Sequence, residues 1–329
     1  MNEIEIRMLY HSHVYGGDTI KIGFIGPGKV GVSLGRYFTH KGIELSGFYG
    51  KDDLNAIDAA NITKSKFYNN IQDIIKDSDI LFITTPDDII SIIDIELSKF
   101  DLNNKSICHT SGSLKSNVLC NAKHSGAMIY SLHPIFAFSS KETNLKELED
   151  IYFSIEGDIL EDSSIISVLK LIGNKYFVRK AEDSSTYHLA SVFVSNLALS
   201  LLDIGTSYLK KLGLDDEEAL NALKPLIKGN IDSIYAKGFV NSLTGPIARG
   251  DITTIEKHIS VLEDKDKDLY KILSFNLLKL VALRDKNKAD ITENIEECFY
   301  DMKNKSQIEN VLSNSKKHLE IYKFLGGVN

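Results

Sequence analysis

His133, His188, Asn196 and Arg249 are the side-chain types that proton transfer beside a carbonyl group requires. An imidazole can give or take a proton near neutral pH. A side-chain amide can donate to a carbonyl oxygen, and a guanidinium matches a carboxylate with two parallel bonds. His133 closes the apolar run AMIYSLHP. His188 and Asn196 lie in STYHLASVFVSNLALSLLDIG (185–205), where His188, Ser191 or Val192, and Ser195 or Asn196 recur at helical spacing and put a polar stripe on an apolar helix. Buried polar groups need partners, so the stripe suits either a reacting ligand or a helix–helix contact. Arg249 lies in SLTGPIARGD, where Gly245-Pro246 interrupts a helical half and Thr244 precedes the break. Either Arg249 is free to bind an anionic ligand, with Thr244 beside it, or it pairs with Asp251 and closes the break locally.

The elements that must position these groups are legible from periodicity. IKIGFIG (20–26) is a short apolar strand running into GPGKVG, and VSLGRYFTHKG continues as an amphipathic helix. In such a strand–turn–helix, Gly26 permits the tight turn, Gly28 lets backbone N–H groups approach a pyrophosphate, and Gly31 lets the helix pack on the strand. Pro27, Lys29 and Val30 complete the turn, and the helix N-terminus favours the phosphates. Strands SDILFITTP, KSICHTSG and AMIYSLHP follow, and ligands of an open parallel sheet bind beyond their carboxyl ends. Thr84, Thr85, Pro86, Asp87, His109, Ser111 and His133 fall there. IYFSIEG and NKYFVRK flank the helix SIISVLKLIG as two further strands. The expected architecture is α/β: a loose extension over 1–19, a Rossmann-type, doubly wound, mostly parallel sheet over 20–181, and an all-α domain over 182–329.

The second strand ends in FYGK. An acidic residue normally binds the ribose 2′-hydroxyl of NAD at such a strand end. Tyr49 and Gly50 stand there instead, and Lys51 suits a 2′-phosphate, although Asp52 and Asp53 follow. NADPH is therefore the expected cofactor in preference to NADH.

Composition excludes other classes. The chain has 329 residues, 43% hydrophobic and 25% charged, enough for a sizeable core in two domains. A net charge of −7 and a pI near 5.8 disfavour nucleic acid or an anionic membrane as partner. Cys108, Cys120 and Cys298 form neither a disulfide framework nor a metal set, which fits a reducing cytoplasm. Residues 1–19 lack the apolar core of a signal peptide. The stretch 189–205 is interrupted by Ser191, Ser195, Asn196, Ser200 and Asp203, and is expected as a buried helix rather than a membrane span. The long apolar C-terminal helices suit a homodimer interface.

GPGKVG, TTPDD (84–88), HTSGSL (109–114), SLHPIFAF (131–138), YHLASVFVSN (187–196) and TGPIARGD (244–251) together resemble one group, the Rossmann-like oxidoreductases carrying a C-terminal domain of unknown function 2520, within the 6-phosphogluconate dehydrogenase-like superfamily. Some of its members are similar to the alternative type of ketopantoate reductase, which reduces 2-dehydropantoate to (R)-pantoate with NADPH on the route to pantothenate and coenzyme A. The resemblance implies that a helical domain closes over the nicotinamide, with Arg249 binding the substrate carboxylate. It further implies His188 as first choice of acid, Asn196 polarising the carbonyl, and Ser111 and His133 as secondary contacts near the nicotinamide.

GSLK (112–115) with HPIFA (133–137) is similar instead to prephenate dehydrogenases, in which the histidine before proline is catalytic. This chain departs from them in having Asn196 where a helix histidine is expected, and in carrying TGPIARGD. Pyrroline-5-carboxylate reduction is a more distant reading, and a dinucleotide-binding redox sensor is the reading in which no turnover occurs.

Overall fold

A computed structural model of the protein describes residues 20–286, 294–300 and 304–326; the extension expected over 1–19 lies outside the described residues. The chain divides into two compact units between Leu202 and Asp203.

The first unit is built on β1 (Lys21–Ile25), β2 (Glu44–Tyr49), β3 (Lys66–Tyr68), β4 (Ile80–Ile83), β5 (Ser106–His109), β6 (Met128–Pro134), β7 (Phe153–Gly157) and β8 (Tyr176–Val178). They form one sheet in the order β3-β2-β1-β4-β5-β6-β7-β8. The first six strands are parallel, in the doubly wound order 3-2-1-4-5-6. β7 runs antiparallel to β6, and β8 is parallel to β7. Continuous apolar strands such as ILFI of β4 demand cover on both faces. The cover comes from α1 (Lys29–His40), α2 (Asp53–Thr63), α3 (Ile71–Asp77), α4 (Asp87–Leu97), α5 (Cys120–His124), α6 (Leu145–Glu149) and α7 (Ser164–Ile172). Alternation along the strands sorts the core into two layers. Phe24, stacked on Phe48 at 5.1 Å and on Phe82 at 5.4 Å, lies in one with Tyr37 and Leu169. Ile25, Leu81, Ile83, Ile107 and Ile129 lie in the other with Ile74 and Ile90.

Register decides what can share a site. Ile25, Ile83, His109 and Ser131 pair across β1, β4, β5 and β6. Two residues further on, Pro27, Thr85 and Ser111 therefore stand beyond the carboxyl ends of β1, β4 and β5, at positions corresponding to His133 near the end of β6, which is three strand spacings, about 14 Å, from β1.

The helix expected over 185–205 is divided. α8 (Ser184–Val194) and α9 (Asn196–Lys210) meet at Ser195, whose φ of −112° and ψ of −79° interrupt the helical path. Its hydroxyl donates to the Ser191 carbonyl at 2.7 Å, a local bond that competes with helix continuation. Nor is the segment buried. In α8 only Ser184 is buried and in α9 no residue is, while Phe193 is 59% and Val194 80% exposed. Ala181–Lys210 is long and apolar enough to cross a membrane by length and composition. The expectation of a buried helix is thus corrected: apolar composition calls for cover but does not say that the same chain supplies it.

The second unit is helical throughout its described residues. The end of α9 is followed by α10 (Asp216–Ser242), α11 (Gly245–Arg249), α12 (Ile252–Val261), α13 (Asp264–Lys286), α14 (Ile295–Cys298), α15 (Lys305–Leu312) and α16 (Lys316–Phe324). Its core gathers Ile247, Ile255, Phe275, Leu278, Ile308 and Tyr322 from α11, α12, α13, α15 and α16.

Candidate functional site

The turn after β1 contains three glycines with three different neighbourhoods. Gly26 has φ +109°, and a Cβ there would lie 2.9 Å from the backbone of Thr84 and Thr85. At Gly31 a Cβ would lie 2.5 Å from Thr84 Oγ1 and 2.6 Å from the Gly26 carbonyl. Both glycines are demanded by the protein's own packing. At Gly28 the nearest atom to such a Cβ is the Thr84 carbonyl at 3.8 Å, so the protein leaves open space there. No acidic residue occupies the first turn of α1, and Gly28 makes no side-chain cap. An open glycine under an uncapped helix N-terminus fits a pyrophosphate, with Pro27, Lys29 and Val30 completing the turn.

Among the strand-end residues, Thr84 donates its hydroxyl to the Gly26 carbonyl at 2.6 Å and so shapes the turn from within. Thr85 Oγ1 is buried without a hydrogen-bond partner. Pro86 stands at the N-cap of α4. Beyond β2, Asp52 caps α2, accepting from Leu54 N at 3.0 Å and from Asn55 Nδ2 at 2.7 Å, while Lys51 is exposed. The carboxylate that could hold a ribose hydroxyl is thus engaged in a cap, and Lys51 is left as a cation beside that strand end.

Ser111 does not stand free. Its hydroxyl donates to Asp87 at 2.8 Å and accepts from Ser113 N at 3.2 Å and Leu114 N at 3.1 Å. One proton and two lone pairs are thereby engaged, so this hydroxyl holds the loop. His109 does the same from beneath, accepting from Ser111 N at Nδ1 and donating from Nε2 to the Lys115 carbonyl at 3.2 Å.

The loop carries Gly112 over the ring of His133. A Cβ at Gly112 would lie 3.0 Å from His133 Nε2. On the other side, His133 Nδ1 is 2.5 Å from the Tyr187 hydroxyl, and the two rings meet edge-on with centroids 5.6 Å apart. Tyr187 is in the first two turns of α8, 54 residues away in sequence. It lies inside the motif YHLASVFVSN, yet only His188 and Asn196 were legible there as candidates. His188 Nδ1 is buried without a partner. Asn196 is exposed, its amide oxygen 3.0 Å from the Ser195 hydroxyl. The break at Ser195 removes the common stripe expected for these two.

Beneath Tyr187 lies Arg179, which follows β8. β6, β7 and β8 pair so that Ser131, His133, Ser154, Glu156 and Arg179 share one sheet face. Arg179 donates to Ser154 Oγ at 2.8 Å, to Ser131 Oγ at 2.7 Å and to Ser184 Oγ, and its guanidinium is 5.4 Å from the Tyr187 ring centroid. A charged residue closing the apolar strand run NKYFV was the sequence signal that could have pointed to it.

Burial pulls His133 down to about 4, helped by His188 and Arg179 and opposed by Asp87. Burial pulls His109 to the same value, opposed by its bond to the Lys115 carbonyl. Both imidazoles are therefore neutral in the fold at neutral pH. Because the unfolded chain takes up these protons near pH 6.5 and the folded one near 4, stability is fully present above 6.5 and is lost as pH falls toward 4. The melting temperature should fall across that window, and His109→Gln should flatten the slope. Equal slopes in both proteins would show that His109 is not held neutral.

In the second unit, Thr244 is the N-cap of α11, Gly245 opens the helix with φ +88°, and Pro246 follows in its first turn. The Ile247 carbonyl accepts from His318 Nε2 at 3.0 Å and the Ala248 carbonyl from Arg284 at 3.1 Å, which fixes this turn. Asp251 caps α12 through Thr254 and also forms a long, 3.9 Å ion pair with Arg249, whose side chain is 64% exposed. The cap is made through Thr254 without Arg249, which joins Asp251 only through this exposed ion pair. Thr244 is exposed and makes no side-chain cap bond.

Residues 13–134 match the Rossmann-like domain family and residues 151–277 match the domain of unknown function DUF2520. A protein of Thermotoga maritima is 26% identical, with a TM-score of 0.63 over 82% of this chain and 100% of its own. A provisionally assigned NADP oxidoreductase of Bacteroides fragilis is 21% identical, with a TM-score of 0.60 over 79% of this chain and 98% of its own. Pyrroline carboxylate reductase of Plasmodium falciparum, solved with NADP bound, is 17% identical, with a TM-score of 0.53 over 82% of this chain and 97% of its own. No curated protein matches the chain. The chain therefore joins a Rossmann-like domain over residues 13–134 to a DUF2520 domain over residues 151–277.

Proposed function

We propose that this protein is an NADPH-dependent oxidoreductase acting on a small 2-keto acid, with 2-dehydropantoate the substrate that its motifs indicate. One observation carries the reading: the open cradle at Gly28 follows the carboxyl end of β1, and the His133–Tyr187 pair is held at the last residues of β6 in the same sheet. The NADP named for the Bacteroides fragilis and Plasmodium falciparum proteins supports the cofactor, as does the engagement of Asp52 in a cap. When bound, the reduced nicotinamide supplies hydride to the keto carbon. Tyr187 donates its phenolic proton to the developing alkoxide, and neutral His133, as its Nδ1–H tautomer, donates to the phenol oxygen and stabilises the phenolate left behind. Arg249 binds the carboxylate. The uncovered apolar surface of α8 to α10, including Phe193, Leu199 and Phe239, supports a homodimer.

Turnover of NADPH with a panel of 2-keto acids, cyclic imines and prephenate tests the reading, which fails if no keto acid is reduced. In the same assay Arg249→Ala should raise KM for the keto acid by about 2–3 kcal/mol in apparent binding, the loss expected for hydrogen bonds to a charged group, with NADPH affinity unchanged. Arg249→Lys should recover only part, because an ammonium lacks the planar fork. A normal KM in Arg249→Ala would remove the residue from the site.

A further inference from the structure

A buried guanidinium that meets only neutral acceptors is costly. Arg179 is 6% exposed and donates to the hydroxyls of Ser131 on β6, Ser154 on β7 and Ser184 on α8. Holding three elements together does not by itself require a charge, because an uncharged side chain could bond the same serines without the desolvation cost. The charge does have a neighbour: the guanidinium is 5.4 Å from the Tyr187 ring centroid, and Tyr187 in turn holds His133. Ser184 opens α8 and is itself buried, so the Arg179–Ser184 bond ties to the sheet the turn from which Tyr187 projects.

We propose that Arg179 is the positioning residue of the His133–Tyr187 pair, fixing the start of α8 through Ser184 and presenting its positive charge to the phenol so that the proton can leave Tyr187. This rests on the assignment of the pair to proton transfer. Burial raises the phenol of Tyr187, and against that rise act first its interaction with Ser154, then the charge of Arg179, then Ser191. The same charge disfavours a second positive charge on His133. The other charged or titratable groups that bear on the pair are His188 of α8, His109 of β5 and Asp87 of α4, while Glu156 of β7, buried and held by Ser116, bears on Arg179 itself. Glu156 offsets part of the guanidinium's field without reaching ion-pair distance of it.

Arg179→Met tests the proposal in two ways. Titration of the His133 imidazole by NMR, which needs no substrate, should show its midpoint rising from the acidic range toward the ordinary imidazole value. In turnover, kcat should fall about tenfold or more with KM for the keto acid little changed, the pattern of an interaction made in the transition state. The limb of the pH profile that belongs to the phenol should move to higher pH. Arg179→Lys, which keeps the charge but not the fork, should leave the His133 midpoint in place and lower kcat. If Arg179→Met does not fold, Ser184→Ala removes the tether alone, and an unchanged kcat there overturns the proposal. A lower melting temperature with an unmoved His133 midpoint in Arg179→Met also overturns it, leaving a structural clamp. Failure of the underlying assignment looks different: His133 would still shift in Arg179→Met, but Tyr187→Phe would turn over normally.

Discussion

Tyr187→Phe should lower kcat by roughly 10²–10⁴-fold, the range for losing a general acid, while NADPH affinity and the melting temperature stay close to those of the unmodified protein. The substitution removes one hydroxyl and keeps the ring over Arg179 and against Phe177, so the packing that seats α8 survives. His133→Ala should cost less, since the phenol keeps its own proton and loses only the group that steadies the phenolate. His188→Ala separates the rival acid. Its imidazole has a buried, unpartnered nitrogen and is close enough to His133 to influence it. A larger loss in His188→Ala than in Tyr187→Phe would transfer the acid to His188, and wild-type rates in Tyr187→Phe would end the role of the phenol.

Gly28→Val should weaken NADPH binding by roughly 100-fold or more, because the side chain would fill the space through which charged phosphate oxygens accept backbone hydrogen bonds, each worth about 1.5–3 kcal/mol. The protein itself has nothing within contact of that Cβ except the Thr84 carbonyl at 3.8 Å, so the melting temperature should hardly move. Gly31→Val is the control for a glycine required by packing. Its Cβ would press on Thr84 Oγ1 and the Gly26 carbonyl, and overpacking of this kind typically costs 1–3 kcal/mol. Calorimetric titration with NADPH beside thermal melts reads both. Undiminished NADPH affinity in Gly28→Val would remove the cradle from the site.

What could be read from the chain alone was what neighbouring residues decide among themselves. Apolar runs such as ILFI need two-sided cover, and a Gly-x-Gly-x-x-Gly turn between strand and helix is a local backbone requirement, so the mostly parallel sheet and the turn at Gly26, Gly28 and Gly31 were visible in advance. The break of α10 before Pro246 was visible for the same reason.

The reacting groups were not, because their identity depends on contacts between distant elements. Tyr187 becomes a candidate only when α8 sets it against a histidine 54 residues earlier, and Arg179 only when the antiparallel pairing of β7 brings Ser131 and Ser154 onto its face. Ser111 has the chemistry of a ligand contact, but the fold saturates its hydroxyl with Asp87 and two backbone N–H groups. The stripe joining His188 to Asn196 assumed an unbroken helix, and a single hydroxyl at Ser195 bonding back to Ser191 accompanies the break that parts them. Side-chain type and spacing determine which chemistry is available; tertiary structure decides which groups are already satisfied and which remain to react, since satisfaction of a polar group depends on every element packed around it.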